Sequence, residues 1–216
     1  MTNKKVIDYY NKMAEKISNP KETRNKAKDF SMYDIAFMKK YASSKKTLLD
    51  LGSGTGLLIN YLIDDFAKII AVEKYSKFSD FITKCSKIQI LNQDLLELNI
   101  ENSIADIVSL FGVMNYFNVK EATIIYKKSF NSLKEDGLLI IKNQMGIYED
   151  VTVNGFSDEL QTNYYSNYRY INKEIKLVES LGFTFIQKIN IYPKEYNRWE
   201  NTHFYALVFK KRLQTD

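Results

Sequence analysis

Within sixteen residues the chain runs from an apolar segment, Thr47-Leu48-Leu49-Asp50-Leu51, through three alternating glycines, Gly52, Gly54 and Gly56, into Leu57-Leu58-Ile59-Asn60-Tyr61-Leu62. The pattern predicts a strand, a tight turn and the start of a helix. Glycine is needed where the backbone takes positive φ or where a ligand approaches with no Cβ in the way, and a helix N-terminus just beyond offers unpaired N–H groups. A nucleotide-like ligand is the expected occupant.

The dinucleotide fingerprint is spaced G-x-G-x-x-G, with its third glycine in the first turn of the helix. Here the spacing is G-x-G-x-G, and Asp50 stands at the carboxyl end of the strand. A carboxylate there repels a pyrophosphate and suits a cationic amino group, which favours S-adenosylmethionine over a nicotinamide dinucleotide. The segment Asp50-Leu51-Gly52-Ser53-Gly54-Thr55-Gly56 resembles the first motif of the class I, Rossmann-like methyltransferases, an acidic residue followed by G-x-G-x-G.

Glu73 ends the next apolar run, 68–72, about twenty positions after the glycines, where an acidic residue accepts ribose hydroxyls. The run 88–92 leads to Asp94. An Asp after a short strand also serves as a turn residue or helix cap. The resemblance implies that it accepts from the adenine amino group while the backbone N–H of Leu95 meets the ring. The same resemblance adds Ser53, Lys74 and Phe111 to the cofactor contacts. It also adds Tyr10, in Tyr9-Tyr10-Asn11-Lys12-Met13-Ala14, as a tyrosine reaching the methionine carboxylate; packing beneath its own helix is the other reading.

The chain has 216 residues, 45% of them hydrophobic, enough for one large α/β domain. We expect a helical cap at 1–44, a cofactor core at 45–143, a substrate-loop insertion at 144–170 and a C-terminal helix and hairpin at 171–210. No stretch of about eighteen apolar residues is present to span a membrane, and the polar N-terminus lacks a signal-peptide core, so a cytoplasmic protein is expected. One cysteine and one histidine give no metal-ligand cluster, and Cys85 reads as a buried helix residue. The net charge of +5 comes from scattered lysines rather than a dense basic run, which argues against nucleic acid as the partner.

Apolar runs at 47–51, 68–73, 88–92, 105–111 and 137–143 alternate with helical patterns, the signature of a parallel sheet wrapped by helices. Ahead of them, 6–17 and 21–41 read as helices broken at Asn19-Pro20, with Phe30, Tyr33, Phe37 and Tyr41 as core contacts. Helices are expected at 119–133 and 171–181, with Gly182 as C-cap, then strands at 183–192 and 203–209. About ten residues without a helical pattern separate these two, too few for a parallel crossover, so they form an antiparallel hairpin. The resemblance implies a three-layer α/β sandwich with a seven-stranded, mostly parallel sheet in the order 3-2-1-4-5-7-6, the last strand antiparallel. Leu133-Lys134-Glu135-Asp136-Gly137 before its fifth strand is similar to the family's third motif.

Acceptor candidates follow from topology. The hairpin tip carries Arg198 and Trp199, and the insertion carries Tyr148, Tyr164, Tyr165, Tyr168, Arg169 and Tyr170. Long loops of this kind often act as lids, and tyrosines with arginines suit a polar acceptor, including phosphorylated ones. A Tyr-rich loop in a Tyr-rich protein is the alternative. His203 is the candidate general base, against a structural histidine opening a strand. Asn115 and Tyr116 follow the fourth strand, beside the transferring methyl in the resembled family, and are assigned to acceptor positioning.

The expected activity is methyl transfer from S-adenosylmethionine, giving S-adenosylhomocysteine, to a hydroxyl of a small sugar, nucleotide-linked or phosphate-bearing metabolite, by a monomer or homodimer. The alternatives are N-methylation of a small amine, an NAD-dependent oxidoreductase, and a cofactor-binding protein without catalysis.

Overall fold

The computed structural model describes residues 4–23, 30–157, 162–196 and 199–212, those at 157 and 162–164 by backbone alone. Its centre is a seven-stranded sheet. The strands β1 (Ser43–Leu51), β2 (Phe66–Val72), β3 (Ile88–Leu91), β4 (Ala105–Phe111) and β5 (Leu133–Gly146) pair in parallel. A hairpin, β6 (Val151–Ser157) with β7 (Thr162–Tyr168), stands apart, and β8 (Phe183–Ile189) and β9 (Thr202–Lys211) complete the sheet. The order is β3-β2-β1-β4-β5-β9-β8, with β9 antiparallel to both neighbours. Leaving the hairpin out of the numbering, this is the expected 3-2-1-4-5-7-6.

Successive side chains of a strand point to opposite faces, so a sheet covered on both sides needs apolar residues at every position. Leu49, Leu51, Val108, Leu110, Leu139, Ile141, Leu207 and Phe209 pack on one face with α4 (Val119–Ser132) and α5 (Ile171–Glu179). Leu48, Ile69, Ala71, Ile107, Ile140, Ala206 and Val208 take the other, against α2 (Ser31–Lys39) and Leu58, Ile59 and Leu62. Each fully buried aliphatic side chain contributes roughly 1.5–3 kcal/mol. Helix α4 begins with a reciprocal cap: Asn118 accepts from the Glu121 amide, and Glu121 accepts from the Asn118 amide, both at 3.0 Å. That cap fixes where the preceding turn, Met114–Tyr116, must end.

The structure corrects several local expectations. No α-helix follows the glycines; the chain makes turns and one 3-10 turn, Ile59–Tyr61. Gly56 takes φ +77, and the Asn60 amide donates to the Phe81 carbonyl at 3.0 Å while accepting from the Thr83 N–H at 2.9 Å. These tertiary bonds override the local propensity while Leu58, Ile59 and Leu62 stay buried. The second helix is confined to α2, preceded by a 3-10 turn at Pro20–Thr23, residues 24–29 lying outside the described part. Cys85 is exposed rather than buried. Strand β5 continues to Gly146, beyond the expected end at Asn143, because β9 pairs with it as far as Gly146 opposite Thr202.

The insertion is a β-hairpin rather than an irregular loop. At its entry the Gly146 amide donates to the Arg169 carbonyl at 3.0 Å, and a Cβ at position 146 would lie 1.9 Å from the Glu149 carbonyl oxygen. Only glycine permits that approach. Gly146→Ala is expected to cost about 3 kcal/mol in urea unfolding, at the upper end of overpacking penalties. An unchanged midpoint would mean that the turn relaxes freely.

Candidate active site

The carboxyl ends of β1, β2, β4 and β5 border a cavity of about 350 Å³, closed from above by α1 (Lys4–Lys16) through Val6, Ile7 and Tyr10. The glycine loop forms one wall. The amides of Gly52 and Ser53 donate to the Val72 carbonyl at 2.8 and 3.0 Å, which pins the loop to β2. Gly52 takes φ +82 and Gly54 φ +54, both in the left-handed region glycine tolerates. A Cβ on Gly54 would meet no atom within 4 Å, and Gly54 lines the cavity, so any larger side chain would project into the ligand space. The Thr55 hydroxyl donates to the Pro20 carbonyl at 2.7 Å, tying the N-terminal segment to the loop.

Three carboxylates face this end of the cavity. Asp50 is buried and accepts from the Ser109 hydroxyl. Burial pushes its carboxyl above the ordinary range, and the bonds from Ser109 and Ser53 only partly oppose this. Glu73 accepts from the Gly54 and Tyr75 amides, each at 2.9 Å. It too is pushed up by burial, against backbone hydrogen bonds from Tyr75, Gly54 and Lys74 and with a small push from Asp50. Asp94 accepts from Lys74 at 2.8 Å and from the Leu96 amide at 2.9 Å, fixing the turn that presents Leu95. Two buried, elevated carboxylates beside an open glycine loop suit a ligand bringing hydroxyl donors and positive charge.

Further along, the Tyr10 hydroxyl donates to that of Tyr116 at 2.8 Å, and the Tyr10 ring lies 6.2 Å from Tyr75 and 6.1 Å from Phe78 between ring centroids. Asn115 donates from Nδ2 to the Ser166 hydroxyl at 2.5 Å, which joins the turn after β4 to β7. The far end is lined by Phe30, Phe111, Lys142, Gln144, Tyr168, Tyr192 and Phe204.

Of the sequence-predicted cofactor residues, Tyr10, Asp50, Gly52, Ser53, Gly54, Glu73, Lys74, Asp94, Leu95 and Phe111 line the cavity, and Gly56 does not. Gly56 serves the chain reversal instead. Asn115 and Tyr116 line it; His203 does not. In the β5–β9 register His203 stands opposite Met145, while Phe204 stands opposite Gln144, so alternation turns His203 to the sheet face away from Phe204 and the cavity. Its Nδ1 lies 3.4 Å from the Tyr205 hydroxyl. Tyr168 is at the cavity, whereas Tyr148, Tyr165 and Trp199 lie away from it, Tyr148 at 76% exposure. Arg198 falls outside the described residues.

Arg169 is likewise absent from the cavity wall. Its Nε and Nη2 pair with Glu174 at 2.5 and 2.7 Å, and Nη1 donates to the Met114 and Phe117 carbonyls at 2.9 and 2.7 Å. Burial opposes the guanidinium charge, and Glu174 more than restores it, leaving Arg169 held in the charged form. The insertion thus braces the Asn115 and Tyr116 turn and brings Tyr168 to the cavity, which α1 covers.

Sequence reading missed Phe30, assigned to the core, and Lys142, Gln144, Tyr192 and Phe204. Strand parity was the available signal for two of them: Lys142 and Gln144 interrupt apolar β5 on one face.

Residues 49–141 match the family model described as a methyltransferase domain. No curated protein matches the chain. Among solved structures, Haemonchus contortus phosphoethanolamine N-methyltransferase 1, in complex with phosphoethanolamine and S-adenosylhomocysteine, is similar with a TM-score of 0.75 at 16% identity, over 97% of this chain and 49% of that one. A S-adenosylmethionine-dependent methyltransferase of Clostridium acetobutylicum is similar with a TM-score of 0.66 at 18% identity, over 94% and 99%. The Burkholderia thailandensis 1,6-didemethyltoxoflavin-N1-methyltransferase, with bound 1,6-didemethyltoxoflavin and S-adenosylhomocysteine, gives 0.68 at 13% identity, over 96% and 85%. With the glycine loop, the elevated carboxylates and the strand order, these matches show that residues 49–141 carry a methyltransferase domain, on a fold shared with solved S-adenosylmethionine-dependent methyltransferases.

Proposed function

We propose that the chain transfers the methyl group of S-adenosylmethionine to a small-molecule acceptor bound at the Lys142 and Phe204 end of the cavity. The observation that supports this reading is continuity: one cavity runs from Glu73 and Asp94, past Tyr10, Asn115 and Tyr116, to Lys142 and Phe204. When bound, the cofactor supplies a methyl group made electrophilic by its sulfonium sulfur. The protein's task is placement, since in-line approach of two held groups supplies much of the rate. In this reading Glu73 accepts the ribose hydroxyls, Asp94 and the Leu95 amide meet the adenine, and Asp50 faces the cationic side of the ligand. Tyr10, Asn115 and Tyr116 border the junction between the two ends.

Of the residues expected to hold a sugar or phosphorylated acceptor, Tyr168 lines the cavity while Tyr148, Tyr165, Arg169 and Trp199 lie away from it, and the acceptor end is largely aromatic. A small amine is the second reading, favoured by the phosphoethanolamine relative, whose TM-score is 0.75. The test is a panel of small acceptors incubated with methyl-labelled S-adenosylmethionine, read as label transfer and S-adenosylhomocysteine release. Transfer to one or more small acceptors is expected. S-adenosylhomocysteine binding with no transfer to any compound would point to a cofactor-binding protein without catalysis.

The elevated carboxylates make a pH prediction. Ionised Asp50 and Glu73 favour the cofactor's positive charge, and their folded-state titrations lie above the ordinary carboxylate range of about 4. Affinity for S-adenosylmethionine should therefore fall on acidification before pH 4 is reached. Ligand-free stability should move the opposite way. Between the ordinary and the raised values the folded state holds protons that the unfolded chain has released, so these groups stabilise the fold at low pH and lose that contribution as pH rises through the raised values. Titration calorimetry and urea unfolding across pH 4–7 check both signs.

A further inference from the structure

We propose that Lys142, held in place by Asp34 and Tyr192, forms an acceptor subsite that binds a small aromatic molecule through an ionised hydroxyl, as a phenolate. The proposal rests on the reading of this cavity as a methyl-transfer site and names the class of acceptor it takes.

A lysine in mid-sheet normally extends its stem to carry the ammonium into water. Lys142 does not; its side chain is 5% exposed, and that of its partner Asp34 is 1% exposed. The Nζ donates to Asp34 Oδ2 at 3.1 Å and to the Tyr192 hydroxyl at 3.0 Å, while Tyr192 donates to Asp34 Oδ1 at 2.7 Å. The three side chains come from β5, α2 and the segment after β8, and close a ring of hydrogen bonds that fixes the ammonium in place. Lys142 and Tyr192 line the cavity; Asp34 stands behind them and does not. Tyr192 commits its one hydroxyl hydrogen to Asp34, so the donor presented to a ligand is the Lys142 ammonium, with the Tyr192 ring as wall.

Charge along the cavity is divided. Asp50, Glu73 and Asp94 line the cofactor end, where Lys74 pairs with Asp94, and among the described residues lining the acceptor end Lys142 is the charged one. The walls around it are aromatic: Phe30 stacks on Tyr192 with centroids 4.6 Å apart, Phe204 lies 5.3 Å from Tyr192, and the Lys142 Nζ sits 5.4 Å from the Phe111 centroid. A sugar would press several hydroxyls against these rings without partners, at a desolvation cost for each. A protonated amine would face a like charge at short range. A flat ring packs against aromatic walls, and a single oxygen anion at its edge makes a charge-assisted hydrogen bond to the ammonium. Binding in that form releases the hydroxyl proton to solvent. The acceptor oxygen is then nucleophilic without a general base, in keeping with His203 on the opposite face of the sheet.

The test uses 4-nitrophenol, whose ionised form absorbs at longer wavelength than the neutral phenol, titrated into protein saturated with S-adenosylhomocysteine. The bound phenol should show the phenolate band at a pH where the free compound is still neutral, its ionisation midpoint lowered by about one unit, a tenfold effect, or more. Lys142→Met should abolish the shift and weaken binding about tenfold or more; Lys142→Arg, which keeps the charge, should retain the shift. Benzylamine should not compete. A nitrophenol bound in its neutral form by the wild-type protein, an equal shift in Lys142→Met, or displacement by benzylamine would overturn the proposal. Failure of S-adenosylhomocysteine to saturate the wild-type protein is a separate result, because it strikes the cofactor assignment before any phenol is added.

Discussion

Arg169→Met is expected to lower the unfolding free energy by about 3–5 kcal/mol, the range for removing one partner of a buried ion pair. The guanidinium is 7% exposed and Glu174 2%. With Arg169 gone, the Glu174 carboxylate is left in the interior beside Tyr126, whose hydroxyl donates to it. Burial, and then the Glu174 charge, hold that hydroxyl well above its ordinary value, so it stays a neutral donor and gives the stranded carboxylate no counter-charge. The Met114 and Phe117 carbonyls lose their donor as well. Urea unfolding monitored by circular dichroism measures the effect. The double variant Arg169→Met with Glu174→Leu, which removes the stranded charge, should recover much of the loss, because an apolar replacement of a buried pair is often close to neutral. A double variant as unstable as the single one would show that the carbonyl contacts, and not the ion pair, carry the stability. Methyl transfer by the single variant should fall through the loosened Asn115 and Tyr116 turn while cofactor affinity is largely kept.

Glu73→Ala should weaken S-adenosylhomocysteine binding by about 10–100-fold, equivalent to the 1.5–3 kcal/mol of a hydrogen bond to a charged group. Two effects add. The acceptor proposed for the ribose hydroxyls disappears, and the Gly54 amide, now bonded to Glu73 at 2.9 Å, loses what orients the glycine loop. Folding should change less than binding, because two orphaned amides are offset by the removal of a buried carboxylate whose charge burial already disfavours. Glu73→Gln keeps an oxygen acceptor without charge and should fall between. Equal affinities for Glu73→Ala and the wild type would remove Glu73 from the cofactor site.

The parts of this fold that were legible in the sequence share one property: both sides of the element are covered. Strands β2 and β4 are apolar at most positions, and β1 at Leu48, Leu49 and Leu51, because helices or packed turns lie on both faces, and the glycine loop is legible because glycine takes φ +82 and +54, as at Gly52 and Gly54, without steric cost. The short link between β8 and β9 gave the antiparallel return by length alone. The hairpin β6–β7 was illegible for the opposite reason. Its segments, Val151-Thr152-Val153-Asn154-Gly155-Phe156-Ser157 and Thr162-Asn163-Tyr164-Tyr165-Ser166-Asn167-Tyr168, mix polar residues into both faces and stand outside the main sheet. Arg169 and Lys142 were misjudged or missed because their meaning lies in a partner. Glu174 is five residues from Arg169, and Asp34 is 108 residues from Lys142, so neither pairing leaves a local pattern. The glycine loop also promised a helix N-terminus that does not form, and the glycine backbone and Glu73 line the cavity there instead.

The central claim, that this cavity is built for S-adenosylmethionine, is tested most directly by calorimetric titration of the purified protein with S-adenosylmethionine, S-adenosylhomocysteine and NAD in parallel. Saturable binding of both sulfur compounds, with no heat from NAD beyond dilution, is the predicted result. Binding of NAD, or binding of neither sulfur compound by folded protein, would contradict it.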